Sequence, residues 1–414
     1  MWQCAAKCRI GFSAGWLAGI RILGAFMRKW LLTSLTFAFA LTGCGKKSSS
    51  ESTYLLPWSD AKGNYSLQEV TISTLTSGHA VKGQAAEVYA EPSFSESGFS
   101  GHIAEPRLTH SGHVYIPMDI ESSLALTVYA QFERIYQFEQ AIGTAGQLRW
   151  PRKIGVELNL TTNDGSDHNN AHYFTALDVI GILPYTLDGV PFAVNQGIVA
   201  HEHFHAHFQS QVLSPLSAIA GLQVVSALED LFYGAISPAM NSGRDGQGPK
   251  FLNDIVLRGW NEGLADFFAG IYTGQADFFS GSMPKIAKAR ALDEPLRPIL
   301  PGADLEAAAN AVGFDRSKLV GMAYGQGTAV ARLLYRAANS GAETPRAFLI
   351  RTMNQLKEIP ASVQDGYLSR VMDFDEVLPV LLDGFPLSHN LCADLQSTMT
   401  KATYMRGFAA CAGL

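Results

Sequence analysis

Cysteine is scarce in this chain, with five in 414 residues. A small disulfide-stapled scaffold is therefore excluded. Charge is scarce too: 16% of residues are charged against 47% hydrophobic, a balance that argues for a folded globule with disorder confined to short segments. Excess positive charge is absent, the formal net charge being −6, so a nucleic-acid partner is not expected. The apolar run Trp30 to Leu41 near the N-terminus is too short to span a bilayer.

That run follows Arg28 and Lys29 and ends in Leu41-Thr42-Gly43-Cys44, giving basic, apolar and small-residue regions in the order of a secretory leader. The tetrapeptide resembles the lipobox of bacterial lipoproteins. The resemblance implies lipidation of Cys44 as the first mature residue, with Met27 as the true start and residues 1–43 removed. Removal takes five basic residues and no acids, leaving a net charge of −11. A lipid anchor at Cys44 then holds the protein to a membrane of the cell envelope. Gly45 replaces the aspartate that retains enterobacterial lipoproteins in the inner membrane, so the expected address is the outer membrane, facing the periplasm or the exterior. Cys392 and Cys411 alone remain, either as one disulfide or as two buried thiols.

Residues 44–60, with a serine run, read as a flexible tether. Residues 61–195 read as a β-rich N-terminal part. Within it Ser122 to Ile142 has helical periodicity, and Ile154, Val156, Leu158 and Leu160 alternate as one strand. The turn Asn163 to Asp167 lacks the bidentate glutamate of a calcium loop and reads as a hairpin leading to a strand from Asn169. Residues 275–414 read as a helical C-terminal part.

Between them, in 196–274, lies the densest chemistry. His201-Glu202-His203-Phe204-His205 is a His-Glu-x-x-His pattern. On a helix, positions i and i+4 stack on one face, so His201 and His205 can close on one metal ion with Glu202 beside its open side. His203 and His207 have the same spacing, but Phe204 follows His203 where a base would have to stand. They read as structural neighbours on other faces. A two-histidine site needs a third ligand, and Glu262 in Gly259-Trp260-Asn261-Glu262-Gly263-Leu264-Ala265-Asp266 supplies one, with Asp266 a turn later to accept the free N–H of a ligand histidine.

A metzincin would need glycine and histidine where Phe208 and Gln211 stand. His201-Glu202-x-x-His205 followed by Asn261-Glu262-Gly263-x-x-Asp266 instead resembles the gluzincins, and most closely those of the fungalysin type. Asn170-Ala171 before an aromatic is similar to the thermolysin edge strand. The resemblance spans roughly residues 154–274 and implies a zincin-like α+β fold, zinc held by His201, His205 and Glu262, Glu202 as general base, and a peptide aligned along Asn170 and Ala171. Tyr324, in Tyr-x-x-Gly before an apolar helix at 328–338, resembles the oxyanion-stabilising tyrosine of aminopeptidase-type gluzincins. The 56 residues between His205 and Glu262 far exceed the thermolysin interval and are expected to shape access to the cleft.

The expected function is zinc-dependent hydrolysis of peptide bonds in a peptide or protein substrate. An endopeptidase is favoured because the Gly-x-Met-Glu-Asn stretch of aminopeptidases is lacking. The rival reading is a lipoprotein that keeps the zincin fold for binding or scaffolding without turnover, with an occluded or metal-free site.

Overall fold

A computed structural model describes residues 51–60, 63–95, 98–162, 165–166, 168–220 and 248–413. Cys44 and the leader before it lie outside the described residues, as do residues 221–247 of the interval between His205 and Glu262. The architecture is mixed α+β, with sheets in the N-terminal half and helices after them. Among the described residues no helix is long and apolar enough to cross a membrane.

The strands are β1 (Ser52–Ser59), β2 (Tyr65–Ile72), β3 (Leu75–Ser77), β4 (Ala80–Gly83), β5 (Ala86–Ser95), β6 (Gly98–Ile103), β7 (Leu108–Ser111) and β8 (Val114–Pro117), followed by helix α1 (Ile120–Ile142). Then come β9 (Arg152–Val156), β10 (Asn159–Thr162), β11 (Gly165–Ser166), β12 (Ala171–Phe174) and β13 (Val179–Ile182). One sheet has the order β2-β1-β8-β7; a larger one runs β11-β10-β5-β9-β13-β12, with β4 and β6 also paired to β5. In the larger sheet β5, β9 and β13 are parallel, and β12 closes the end antiparallel to β13.

Some expectations need correction here. Ser52 to Ser59, expected to be tether, is a strand that pairs with β2 along its whole length. Tyr54, Leu56 and Trp58 alternate into the core at 2% exposure or less, and this period-two burial outweighs the polar residues between them. The single strand expected at 154–160 is interrupted at Glu157, whose φ of 55° breaks the pleat into β9 and β10. The turn expected at 163–167 instead holds the short strand β11, which pairs with β10, and the strand expected from Asn169 begins at Ala171 and pairs with β13.

Helix α1 begins where the Asp119 carboxylate accepts the Ser122 N–H at 2.8 Å, and it stops at Gly143 in the left-handed region. The later helices are α2 (Gln196–Phe208), α3 (Ser214–Ala220), α4 (Pro249–Thr273), α5 (Pro284–Arg290), α6 (Gly302–Ala311), α7 (Arg316–Ala338), α8 (Pro345–Gln355), α9 (Ile359–Tyr367), α10 (Leu378–Leu381), α11 (His389–Thr398) and α12 (Lys401–Gly407). Helix α7 starts twelve residues before the expected Thr328, so Tyr324 sits inside it rather than ahead of it. The glycines at 321, 325 and 327 that suggested a lead-in are helical; Gly327 is there for packing. A Cβ on Gly327 would meet the Gly259 carbonyl oxygen at 2.3 Å, and one on Gly263 would meet the Gly327 carbonyl oxygen at 2.1 Å. Helices α4 and α7 therefore cross in backbone contact, which carries Tyr324 to the face of α4 that bears Glu262. Nearer the C-terminus, Cys392 and Cys411 form a disulfide.

Candidate metal centre

Helix α2 is capped by Asn195, whose side-chain oxygen accepts the N–H groups of Gly197 and Ile198. Its amide nitrogen donates to the Phe278 carbonyl and the Ser282 hydroxyl, pinning the helix start to a distant segment. Every residue from Gly197 to Phe208 is buried. Four histidines in such a helix need partners, because an unpaired buried polar group costs roughly 1–3 kcal/mol. They find them on two faces.

On the face toward α4, the His201 Nε2 lies 3.4 Å from Glu262 Oε2, and its Nδ1 lies 3.0 Å from Asp266 Oδ1. The Nδ1 of His205 meets the Asn261 side-chain oxygen at 2.8 Å, so that nitrogen carries the proton and donates. Both imidazoles thus turn Nδ1 toward an acceptor and leave Nε2 to converge with the Glu262 carboxylate, three donor atoms within 4.8 Å of one another. Two ligands bonded at about 2.0–2.1 Å to a tetrahedral zinc stand about 3.3 Å apart. The 3.4 Å between His201 and Glu262 fits that spacing, and the two-imidazole, one-carboxylate donor set suits zinc. Glu202, buried on the same helix, has its carboxylate 3.8 Å from His205 Nε2.

Burial works against charge on His201, but the Asp266 and Glu262 carboxylates overcome it and raise the imidazole to about 9. Burial would likewise raise Glu262, yet His201, His205 and Arg290 hold it well below the usual carboxylate range. Arg290 grips Asp266 with both ends of its guanidinium, at 2.6 and 3.0 Å, and comes within 3.5 Å of Glu262. Arg258, one turn before Glu262, donates to the Tyr324 hydroxyl at 3.1 Å. Burial pushes the Tyr324 phenol up to about 12, so it stays protonated near neutrality and its own hydrogen is left to donate elsewhere.

On the opposite face, the Glu139 carboxylate of α1 meets the Nε2 atoms of His203 and His207 at 2.7 and 2.5 Å, and all three residues are fully buried. This second group also has its donors within 4.8 Å and could hold a metal by that measure. Its oxygen–nitrogen distances, however, are hydrogen-bond lengths, short of the roughly 3.3 Å between ligands of one zinc. The pair expected to be structural therefore has an identifiable job, clasping α2 to α1.

A pocket of about 480 Å³ opens over the first group. It is lined by His201, Glu202, His205, Glu262, Tyr324 and the β12 edge with Asn170 and Ala171. Asn170 precedes β12, and its carbonyl accepts the Leu183 N–H at 3.0 Å in the same register as the β12–β13 ladder. Antiparallel alternation then turns the backbone groups of Ala171 and Tyr173 away from β13, toward the open edge. The Asn170 side chain folds back, its oxygen accepting the Ala171 N–H at 3.0 Å.

Every expected site residue except Cys44 is thus in or directly behind one pocket. Asn261, Arg258 and Arg290 were missed. Asn261 adjoins Glu262 and Arg258 stands four residues before it, so helical spacing held a signal for both; Arg290, on α5, had none. Neither any known protein family nor any curated protein matches the chain.

Proposed function

We propose that the protein is a zinc-dependent peptidase with a zincin-like fold of the gluzincin kind, acting as an endopeptidase held at the cell envelope by a lipid on Cys44. One observation carries the reading: His201, His205 and Glu262 converge at ligand spacing in a pocket bordered by both Glu202 and an open strand edge. The scaffolding alternative expects an occluded site. Among the described residues the donors line open pocket volume.

His201, His205 and Glu262 would hold the zinc, which would supply Lewis acidity to polarise a carbonyl and acidify water. The other parts belong to the chain. Ala171 and Tyr173 pair with an extended peptide by strand addition, displacing the Asn170 side chain from the Ala171 N–H. Glu202 takes a proton from the attacking water and delivers it to the leaving amine. The Tyr324 hydroxyl, oriented by Arg258, donates to the oxygen on which negative charge develops. Asp266 and Asn261 keep the two imidazoles facing inward.

Replacing Glu202 by glutamine preserves the donors and removes the base. The expected result is undiminished zinc content with peptide cleavage lowered by about 10²–10⁴-fold. Zinc-dependent cleavage persisting at the wild-type rate would overturn the assignment.

A further inference from the structure

The pocket holds a charge that peptide hydrolysis does not call for. Among the described residues two carboxylates line it, Glu202 and Glu262, and the proposed chemistry occupies both. Against them stand three arginines, Arg258, Arg290 and Arg297. Arg290 is bound to Asp266 behind the site. Arg258 is buried, with Nη2 3.9 Å from Glu262 Oε1 and 3.1 Å from the Tyr324 hydroxyl. Arg297 is exposed and forms no ion pair among the described residues.

The three guanidinium groups offset Glu202, Glu262 and Asp266, so a bound divalent ion leaves two positive charges in excess. A substrate ammonium is repelled there and finds no further acidic residue among the described ones to bind it, whereas an anion is drawn in. The fork of N–H donors on an arginine matches the two oxygens of a carboxylate. An extended chain advances about 3.3–3.6 Å per residue, comparable to the separation of Arg258 from Glu262. An anion on Arg258 therefore lies close along the peptide to the bond being cut.

We infer that the substrate carries a carboxylate within a residue or two of the scissile bond, received by Arg258 and Arg297. This rests on the peptidase reading above. The carboxylate is either the α-carboxylate of a peptide C-terminus or the side chain of an aspartate or glutamate. Phe192, Phe279, Met283 and Ile286 on the pocket wall suit a bulky apolar residue beside it.

The zinc-loaded full chain is given three N-acetylated peptides of one sequence: a neutral one with glutamine and an amidated C-terminus, one with a free C-terminus, and one with glutamate in place of the glutamine. Cleavage is followed by mass spectrometry, and binding to the zinc-loaded Glu202→Gln variant by calorimetry. One carboxylate peptide should exceed the neutral one by about tenfold or more in kcat/KM, mainly through KM, and bind more tightly by a similar factor. The winning arm identifies the source of the carboxylate. Arg258→Lys and the solvent-exposed Arg297→Gln should each shrink the ratio. Equal cleavage and equal binding of charged and neutral peptides, or a ratio unmoved by both substitutions, overturns anion recognition even if cleavage proceeds. Carboxylate-selective binding without cleavage of any peptide sustains the anion site and overturns the peptidase reading instead.

Discussion

Two acceptors, Asp266 and Asn261, decide which nitrogens of His201 and His205 face the pocket. Asp266 shares its charge with Arg290, whereas Asn261 is neutral and serves His205 alone among the hydrogen bonds of the site. Asn261→Ala should therefore free the His205 ring without disturbing the ion pairs. Zinc affinity is expected to fall by about 10–100-fold, measured by competition with a chromophoric chelator, while the folded state persists. An unchanged affinity would mean that packing alone orients His205. At this scale the sequence was most legible where chemistry repeats at helical spacing. His201, Glu202 and His205 lie within one turn, and Glu262 and Asp266 within another. Arg290 reaches Asp266 from α5, across 24 positions, and no local pattern announces such a contact.

At the level of elements, α2 is held from both sides. The α4 side binds His201 and His205 through Asp266 and Asn261, and the α1 side binds His203 and His207 through Glu139. Burial disfavours the Glu139 charge, but the two imidazoles overcome that and hold its carboxyl well below its ordinary value of 4.5. Its contribution to stability is then fully present above about pH 4.5 and is lost as pH falls further. Glu139→Ala should destabilise the chelator-treated protein by about 3 kcal/mol or more at pH 7, since a broken buried pair leaves its partners uncompensated. The difference from wild type should narrow in urea titrations at pH 3.5; a constant difference would show that Glu139 acts by packing alone. Sequence periodicity found α1, which carries an apolar stripe and a glycine stop, whereas α2 and α4 were legible through the spacing of their histidines and carboxylates. It misjudged α7, where the glycines that permit the crossing with α4 read locally as a break. It also misjudged β1, whose alternation is clear only once β2 is beside it.

Across the whole molecule, an acidic chain surrounds a pocket that a metal would make positive, and the C-terminal helices are tied by one disulfide. Its partners are 19 residues apart, and closing a loop of that length stabilises the fold by about 3 kcal/mol in the chain-entropy account. The Cys392→Ser, Cys411→Ser protein should lose about that much in denaturant unfolding while keeping the metal centre, which is remote in sequence. Equal unfolding midpoints would show that the crosslink only decorates already rigid packing. Of the two states the sequence allowed for these cysteines, the structure selects the bonded one, a choice that depends on α11 bringing Cys392 back against the chain end. The central claim is that His201, His205 and Glu262 together hold one zinc ion. Elemental analysis of the purified protein, dialysed against metal-free buffer beside its Glu262→Gln and His205→Ala variants, tests it directly. The account predicts one zinc per wild-type chain and a substoichiometric amount in both variants; a wild-type chain without stoichiometric metal, or variants that retain it fully, would contradict it.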